Sequence, residues 1–190
     1  MIHLRFARPE DAPVLLAIYE QYIPTNVTFE YELPSREEFA RRIRSFSAVY
    51  PYLVAEEDGK PVGYAYAHPI GERAAFGWGA ELSVYLDRSS SGRGLGRRMY
   101  TALMALLRLQ GVRTVYGLVA SPNPASEALH RSTGFHLMGN QKNAGFKNGQ
   151  WIDLLWYERS ILPYDLPPEP VRSVHDLPPE AVRTILEKDI

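Results

Sequence analysis

The segment 81–135 most constrains the fold of this chain. It predicts a strand, a glycine-rich loop, a helix, a second strand and an Asn-opened helix, in that order. Glycines let neighbouring backbone N–H groups point toward one place, and the N-terminus of the helix adds positive potential there. The segment therefore predicts a cradle for a pyrophosphate-bearing ligand. The loop reads Ser91-Gly92-Arg93-Gly94-Leu95-Gly96-Arg97-Arg98.

Two other phosphate-binding motifs do not fit the spacing. A Walker loop ends in Gly-Lys-Ser/Thr, and no lysine lies between Lys60 and Lys142. A dinucleotide fingerprint that begins at Gly94 needs Gly or Ala where the chain has Met99. The strand that follows also ends without an acidic residue to bind a ribose. What remains is a pyrophosphate loop of another kind, whose cationic side chains are Arg93, Arg97 and Arg98.

Apolar periodicity predicts the helices of the chain. Pro9-Glu10-Asp11 opens a first helix, which places on one face Val14, Leu15, Ile18, Tyr19 and Tyr22. Ser35 and Glu38 have the spacing of a capping box, so a second helix is expected from there to about Phe46. Further helices are expected from the glycine loop to 111 and over 123–133.

Alternating and apolar runs between turn signals predict the strands. They are expected at 2–6, 52–57 and 61–70, through Glu81 to residue 86, and at 112–120, 135–141 and 150–160. Strands interleaved with helices in this way indicate an α/β fold around a mixed sheet.

Beyond residue 161 the chain becomes proline-rich, so we expect one domain over 1–161 and an extension over 162–190. The run that begins at Asp165 is echoed eleven residues later from Asp176. The second copy permits a helix after Pro179, whereas Pro170 blocks one in the first copy. Two interpretations stay open: a stiff tail that ends in a short helix, or a tail that packs on its own domain or a partner subunit through Val182, Ile185 and Leu186.

Composition narrows the function classes. The chain has 190 residues, 45% of them hydrophobic, which is enough for one substantial core. A net charge of −1 argues against a nucleic-acid surface, which needs clustered cations. With no cysteine, disulfides, thiolate metal sites and a cysteine nucleophile are excluded, and the histidines have no metal-ligand spacing, so no metal is expected. No apolar run suits a signal core or a membrane span, so a cytoplasmic protein is expected.

The glycine loop resembles the acyl-CoA pyrophosphate loop of the GNAT superfamily of N-acetyltransferases. Gly94 to Arg97 fit the family pattern, while Ser91 stands where the family usually has Gln or Arg. Over residues 2–160 the chain is similar to the branch that contains phosphinothricin and methionine sulfoximine acetyltransferases. The segments that carry this closer match are 50–56, 63–67, Glu81 thirteen residues before Gly94, and 144–151. The resemblance implies a GNAT-like, mostly antiparallel sheet flanked by helices, acetyl-CoA as cosubstrate, and a homodimer.

The resemblance also implies two catalytic residues. Acetyl transfer needs an uncharged amine, and free amines are mostly protonated near neutrality, so a carboxylate base is required. Glu81 occupies the family position of that base; the alternative is a sheet-edge carboxylate that faces solvent or pairs with an arginine. His130 stands where many relatives have a tyrosine acid, and its protonated imidazole would donate to the CoA thiolate near pH 7. The alternative for His130 is a half-exposed helix residue with one ordinary hydrogen bond.

Cofactor and substrate residues are carried over in the same way. The expected CoA contacts are backbone donors near Val84 and Tyr85, the loop residues Arg93, Gly94, Gly96 and Arg97, and the helix-start residues Asn123 and Ser126. Asn123 is alternatively only an N-cap. Lys147 and Trp151 are assigned to a substrate pocket, a subunit interface or plain packing. For an amino-acid acceptor, Arg73 would hold the carboxylate and an aromatic wall would come from Phe29, Phe76 and Trp78.

These observations together predict an acetyl-CoA-dependent N-acetyltransferase. Its acceptor would be the α-amine of a small amino acid or analogue, attacking directly in a ternary complex. A peptide or protein N-terminal acetyltransferase is the alternative within the enzyme class. A non-catalytic acyl-CoA-binding regulatory module is the alternative of another class.

Overall fold

The computed structural model describes residues 2–164 and 167–188, and these form one seven-stranded sheet with helices on both faces. The strands are β1 (Ile2–Phe6), β2 (Tyr52–Glu57), β3 (Lys60–Pro69), β4 (Gly79–Leu86), β5 (Thr114–Ser121), β6 (His136–Lys147) and β7 (Gln150–Ser160). The helices are α1 (Ala12–Glu20), α2 (Arg36–Ser47), α3 (Leu95–Gln110), α4 (Pro124–Ser132) and α5 (Pro179–Glu187). This confirms the predicted mixed α/β fold.

The sheet order is β1-β2-β3-β4-β5-β7-β6. Each neighbouring pair is antiparallel except β4 with β5, which are parallel because α3 crosses between them. The helix α3 packs on one face of the sheet, where β3 and β4 present small apolar residues such as Ala65, Ala67 and Ala80. The helices α1 and α2 cover the other face through Tyr52, Val54 and Tyr64.

Two details of the helices differ from the sequence expectation. In α1 the buried face is Ala12, Leu15, Leu16, Ile18 and Tyr19, while Val14 is 37% exposed. The helix starts at Ala12 after a short 3-10 turn, so its buried side chains recur every three to four residues from Ala12. Val14 does not belong to that series and faces outward. At the start of α2 half of the expected capping box forms: Ser35 accepts from the backbone N–H of Glu38. The Glu38 carboxylate binds Arg41 and Arg42.

The strand predicted at 135–141 is longer in the structure and reaches Lys147. The β6–β7 register shifts between Gln141 and Gly145, so the strand continues through this irregularity as a bulge. The reversal occurs at Asn148-Gly149, both with positive φ, as a tight hairpin requires. The strand β5 begins two residues later than expected, at Thr114.

The tail packs on its own domain. Val174 and Leu177 are buried in the main core, and Val182, Ile185 and Leu186 of α5 pack against that core. Backbone bonds from Arg172 to Gln110 and from Val174 to Val49 tie it down. Pro179 is the first residue of α5, as predicted. Asp165 and Leu166, which begin the first copy of the tail repeat, lie outside the described residues.

Candidate active site

A wedge-shaped slot opens between β4 and β5. The two strands pair only from Gly79–Thr114 to Glu81–Tyr116, although both continue well beyond that point. From there β4 stays paired with β3, and β5 stays paired with β7. The two halves of the sheet therefore diverge, and Glu81 lies at the apex of the slot.

The slot is lined by four of the eight residues expected to contact the cofactor: Val84, Tyr85, Asn123 and Ser126. Its walls are β4, β5, the buried end of Tyr100 and the first turns of α4. The lining residues are Val27, Leu82, Ser83, Val84, Tyr85, Tyr100, Leu118, Val119, Ala120, Asn123, Ser126 and His130. Asn123 caps α4, because its side chain accepts from the backbone N–H of Ser126. It also lines the slot, so the capping and ligand-facing roles are compatible.

The glycine loop lies at the wide end of the slot. Gly94 has φ of +78° at the N-cap of α3, a conformation that glycine adopts without strain. Gly96 lies on the first turn, and a Cβ there would meet Leu129 of α4 at 3.4 Å and Leu86 of β4 at 3.9 Å. The N-terminus of α3 is thus beside both the end of β4 and α4, which is where a pyrophosphate cradle at the slot mouth requires it.

Arg93 and Arg97 of the loop are exposed, whereas Arg98 is half-buried and donates to the carbonyl of Ile2 at 2.9 Å. Arg93 forms a two-pronged ion pair with Glu57, and Arg97 lies on the exposed side of the first helical turn. The pair between Arg93 and Glu57 is at the surface, so a phosphate group competes for this guanidinium at little cost. Ser91 donates toward the carbonyl of Asp87.

His130 is buried against β5, with an exposed fraction of 2%. Its Nδ1 lies 2.8 Å from the carbonyl of Ser126, which only accepts, so Nδ1 carries the hydrogen. Its Nε2 faces the hydroxyl of Tyr100 at 3.4 Å. Burial lowers the pKa of His130, which favours the neutral ring near pH 7. This lowered pKa works against the protonated imidazole expected from the sequence, and the burial of the ring rules out the half-exposed alternative.

Glu81 faces β3 across the sheet. Its Oε1 lies 3.6 Å from Nε2 of His68, the residue directly opposite in the register, and both side chains are about one-fifth exposed. Burial works to lower the pKa of His68, but the Glu81 carboxylate outweighs it, so the pKa of His68 is raised. A titratable pair of this kind in a cleft is typical of a catalytic site.

A cavity of about 390 Å³ lies over Glu81 on the α1–α2 face of the sheet. Its walls are mostly aromatic, with Arg42 and Glu30 as further charged groups. The lining residues are Tyr19, Thr28, Phe29, Glu30, Phe39, Arg42, Phe46, Tyr52, Tyr64, Tyr66, His68, Glu81, Ser83 and Tyr85. Ser83 and Tyr85 line the slot as well, so the cavity and the slot meet along β4.

Of the four residues expected to bind the acceptor, the structure places only Phe29 in this cavity. Phe76 and Trp78 line a different cavity beside the tail, and Trp78 donates to the carbonyl of Glu169 at 2.8 Å. Arg73 is exposed on the turn before β4 and, in the described part of the chain, lines neither cavity. The arginine that lines the Glu81 cavity is Arg42, bonded to Glu30 and Glu38.

Comparison with known proteins agrees with this geometry. Residues 4–156 match the acetyltransferase (GNAT) domain. The chain belongs to the GNAT acetyltransferase family. The chain is 34% identical to phosphinothricin N-acetyltransferase of Streptomyces viridochromogenes, over 91% of this chain and 94% of that one. It is 33% identical to an L-methionine sulfoximine/L-methionine sulfone acetyltransferase of Pseudomonas paraeruginosa, over 84% and 95%.

A solved structure of similar shape supports the same family. It is a GNAT superfamily phosphinothricin acetyltransferase from Sinorhizobium meliloti in complex with acetyl-CoA, with a TM-score of 0.83 and 32% identity. The structural match covers 94% of this chain and 96% of the Sinorhizobium chain. The match extends to the whole slot-bearing sheet, so the expected GNAT fold and acetyltransferase class are both confirmed.

The loop that carries Phe29 is held by the β6–β7 hairpin of this GNAT domain. Lys147 is buried and donates to the carbonyl of Thr28 at 2.7 Å, and burial lowers its pKa. A Cβ at Gly145 would lie 3.1 Å from the Phe29 ring, so glycine permits this close contact. Of the roles considered for Lys147, the structure thus shows one that positions a wall of the acceptor cavity.

Sequence reasoning missed Arg42, His68 and Tyr100. The alternation of large and small residues in 64–68 was a usable signal, because it places Tyr64, Tyr66 and His68 on one face and two alanines on the other. Arg42 had no such signal, since it lies on an exposed-looking helix that tertiary packing brings over β3. Among the described residues, no group of three or more metal-ligating side chains could hold a metal ion. The described helices also include none that is long and apolar enough to cross a membrane.

His130 depends on a close approach to Gly117 of β5. A Cβ at Gly117 would lie 2.0 Å from Nε2 of His130, so Gly117→Ala must displace the ring. We expect a loss of about 1–3 kcal/mol in the free energy of unfolding, measured by denaturant titration. Gly139→Ala is the matched control, because no atom lies within 4 Å of the added Cβ there. Equal stability of the two variants would contradict this packing.

Proposed function

We propose that this chain transfers the acetyl group of acetyl-CoA to the α-amine of a small amino acid or analogue, of the phosphinothricin or methionine sulfoximine type. The amine attacks the thioester directly in a ternary complex. The observation that carries the proposal is the position of Glu81, at the apex of the slot and in the wall of the aromatic cavity. One carboxylate there reaches both the acceptor amine and the end of the cofactor arm.

The slot and the glycine loop suit acetyl-CoA. The pyrophosphate binds the N-terminus of α3 through the amides near Gly94 and Gly96, with Arg93 and Arg97 beside it. The arm runs down the slot past Asn123 and Ser126. The backbone of Val84 and Tyr85 is unpaired with β5. Because successive N–H groups of a strand point to opposite edges, one of these two N–H groups faces the slot and binds the oxyanion that develops on the thioester carbonyl.

Glu81 acts as the general base in this proposal. It takes a proton from the acceptor ammonium, and the amine nitrogen then bonds to the thioester carbon. As the carbon–sulfur bond breaks, the nitrogen loses its second proton, which passes through water to the departing thiolate. A thiolate is a good leaving group, since a free thiol has a pKa of about 8.5. Burial lowers the pKa of His130 and so disfavours the imidazolium that would protonate the thiolate, and we assign His130 to shaping the slot while water carries that proton.

The aromatic cavity supports a small acceptor over a peptide. Its volume of about 390 Å³ and its ring-lined walls suit a single amino acid. Several curated relatives are named for such analogues, among them the Streptomyces and Pseudomonas enzymes.

The test of this function is release of free thiol from acetyl-CoA in the presence of amino acids, phosphinothricin, methionine sulfoximine, methionine sulfone and short peptides. Glu81→Gln should lower turnover by about 10²–10⁴-fold, because the base is lost, while acetyl-CoA binding by calorimetry stays near normal. Glu158→Gln, on β7, is the matched control. Transfer mainly to peptides would favour N-terminal acetylation of proteins. CoA binding without transfer to any amine would favour a non-catalytic module.

Arg42, in place of Arg73, is proposed to hold the acceptor carboxylate, because it lines the cavity. Loss of a charge-assisted hydrogen bond costs about 1.5–3 kcal/mol, so Arg42→Gln should raise the acceptor KM about ten- to a hundredfold and leave the acetyl-CoA KM unchanged. Arg73→Gln should change neither constant by more than about twofold. If steady-state kinetics show that Arg73→Gln raises the acceptor KM and Arg42→Gln does not, Arg73 would be the residue that binds the acceptor carboxylate.

We also propose that the protein is a homodimer and works in the cytoplasm, where acetyl-CoA is available. The support for the dimer is an exposed aromatic patch formed by Phe146 and Trp151 of the β6–β7 hairpin and by Tyr31, whose hydroxyl donates to the carbonyl of Phe146. Phe146 and Trp151 pack edge to face with ring centroids 5.3 Å apart. Trp151→Glu should give a monomer by light scattering, whereas Val14→Glu on exposed α1 should not. A monomeric parent protein would contradict the proposal.

A further inference from the structure

His68 has a geometry that the function proposed above does not use. It lies opposite Glu81 on β3, and its Nδ1 is 3.0 Å from the carbonyl of Pro69, so Nδ1 carries the hydrogen. Its other nitrogen, Nε2, therefore presents a lone pair to Oε1 of Glu81 at 3.6 Å. The ring stacks on Phe46 with centroids 5.1 Å apart, which fixes its orientation.

This arrangement suits a group that accepts a proton from Glu81. While the carboxylate is ionised and the ring is neutral, the carboxylate and the Nε2 lone pair have no hydrogen to share. Once Glu81 has taken a proton from the acceptor, its carboxyl O–H has an acceptor already aimed at it. A closure of less than 1 Å makes a normal hydrogen bond, and such contacts commonly tighten when substrate binds.

We infer that His68 takes the acceptor's proton from Glu81 and passes it to solvent. The inference rests on the proposed function and names a residue that acts through Glu81. The acceptor N–H bond breaks and an O–H bond forms on Glu81. That O–H bond then breaks as an N–H bond forms on Nε2, which returns the carboxylate. The imidazolium finally loses the proton to water, which its partial exposure permits.

The other groups around His68 do not compete for this role. The tyrosines that line the cavity have pKa values raised by burial, so they stay neutral in the physiological range. Arg42 stays charged and is paired with Glu30. His68 is the histidine among the lining residues, and its pKa is raised by Glu81 against the opposing effect of burial. The ring must be neutral to accept, so activity should fall as the pH drops through a midpoint above about 6.5.

Kinetics of His68→Gln test the relay. We expect kcat/KM for the acceptor to fall about ten- to a hundredfold at pH 8, with the acid limb of the pH profile moved to lower pH. His68→Ala should be partly restored by added imidazole, whereas a purely structural defect would not respond. His136→Gln is the matched control, since His136 also pairs with a glutamate, Glu158, at 3.0 Å but on the exposed β6–β7 edge.

A second measurement does not depend on turnover. The titration midpoint of the His68 ring, followed by NMR, should fall in Glu81→Gln, because the carboxylate that raises it is gone. An unchanged midpoint would overturn the pairing. If the parent enzyme is active and His68→Gln has wild-type kinetics, the relay alone would be overturned. The same conclusion would follow if the variants were slow but imidazole did not restore His68→Ala and the acid limb of His68→Gln did not move. A parent protein that transfers acetyl to no amine would instead overturn the proposed function.

Discussion

The parallel ladder between β4 and β5 ends after Glu81, and the rest of the site depends on that interruption. Beyond it each strand keeps one antiparallel neighbour, so the sheet stays intact while the gap widens. Backbone groups in the gap have no ladder partner on the facing strand, and buried backbone polar groups need one. A ligand with a polar arm meets that need, which explains why an interrupted sheet and a cofactor slot occur together.

The two faces of the sheet have different roles: one packs against α3 and the other lines the cavity over Glu81. Small residues of β3 and β4 let α3 pack closely on one face and bring its N-terminus to the slot mouth. On the other face the alternate residues are tyrosines, His68 and Glu81, and helices α1 and α2 enclose them. Because side chains alternate with a period of two, each strand supplies both a packed core and a polar cavity wall.

The proline-rich tail shows how an extension beyond the family match is used. Residues 4–156 match the GNAT domain, yet Val174 and Leu177 further on are buried in its core. Gln110 at the end of α3 bonds to the carbonyls of both Val49 and Arg172, so the tail satisfies polar groups as well as apolar ones. The tail therefore stabilises the helix whose N-terminus forms the proposed pyrophosphate cradle.

Local patterns in the sequence determined the helices, most strand positions, the glycine loop and the start of α5, because these depend on residues close together along the chain. The family resemblance also pointed to Glu81 and the slot residues of α4. Tertiary structure alone decided that Arg42 and His68 join Glu81, that Phe76 and Trp78 face the tail, and that His130 is buried with a lowered pKa. Those outcomes depend on strand register and helix docking between residues far apart in sequence. Such contacts leave no local signature, and the pKa of a buried group is set by what surrounds it.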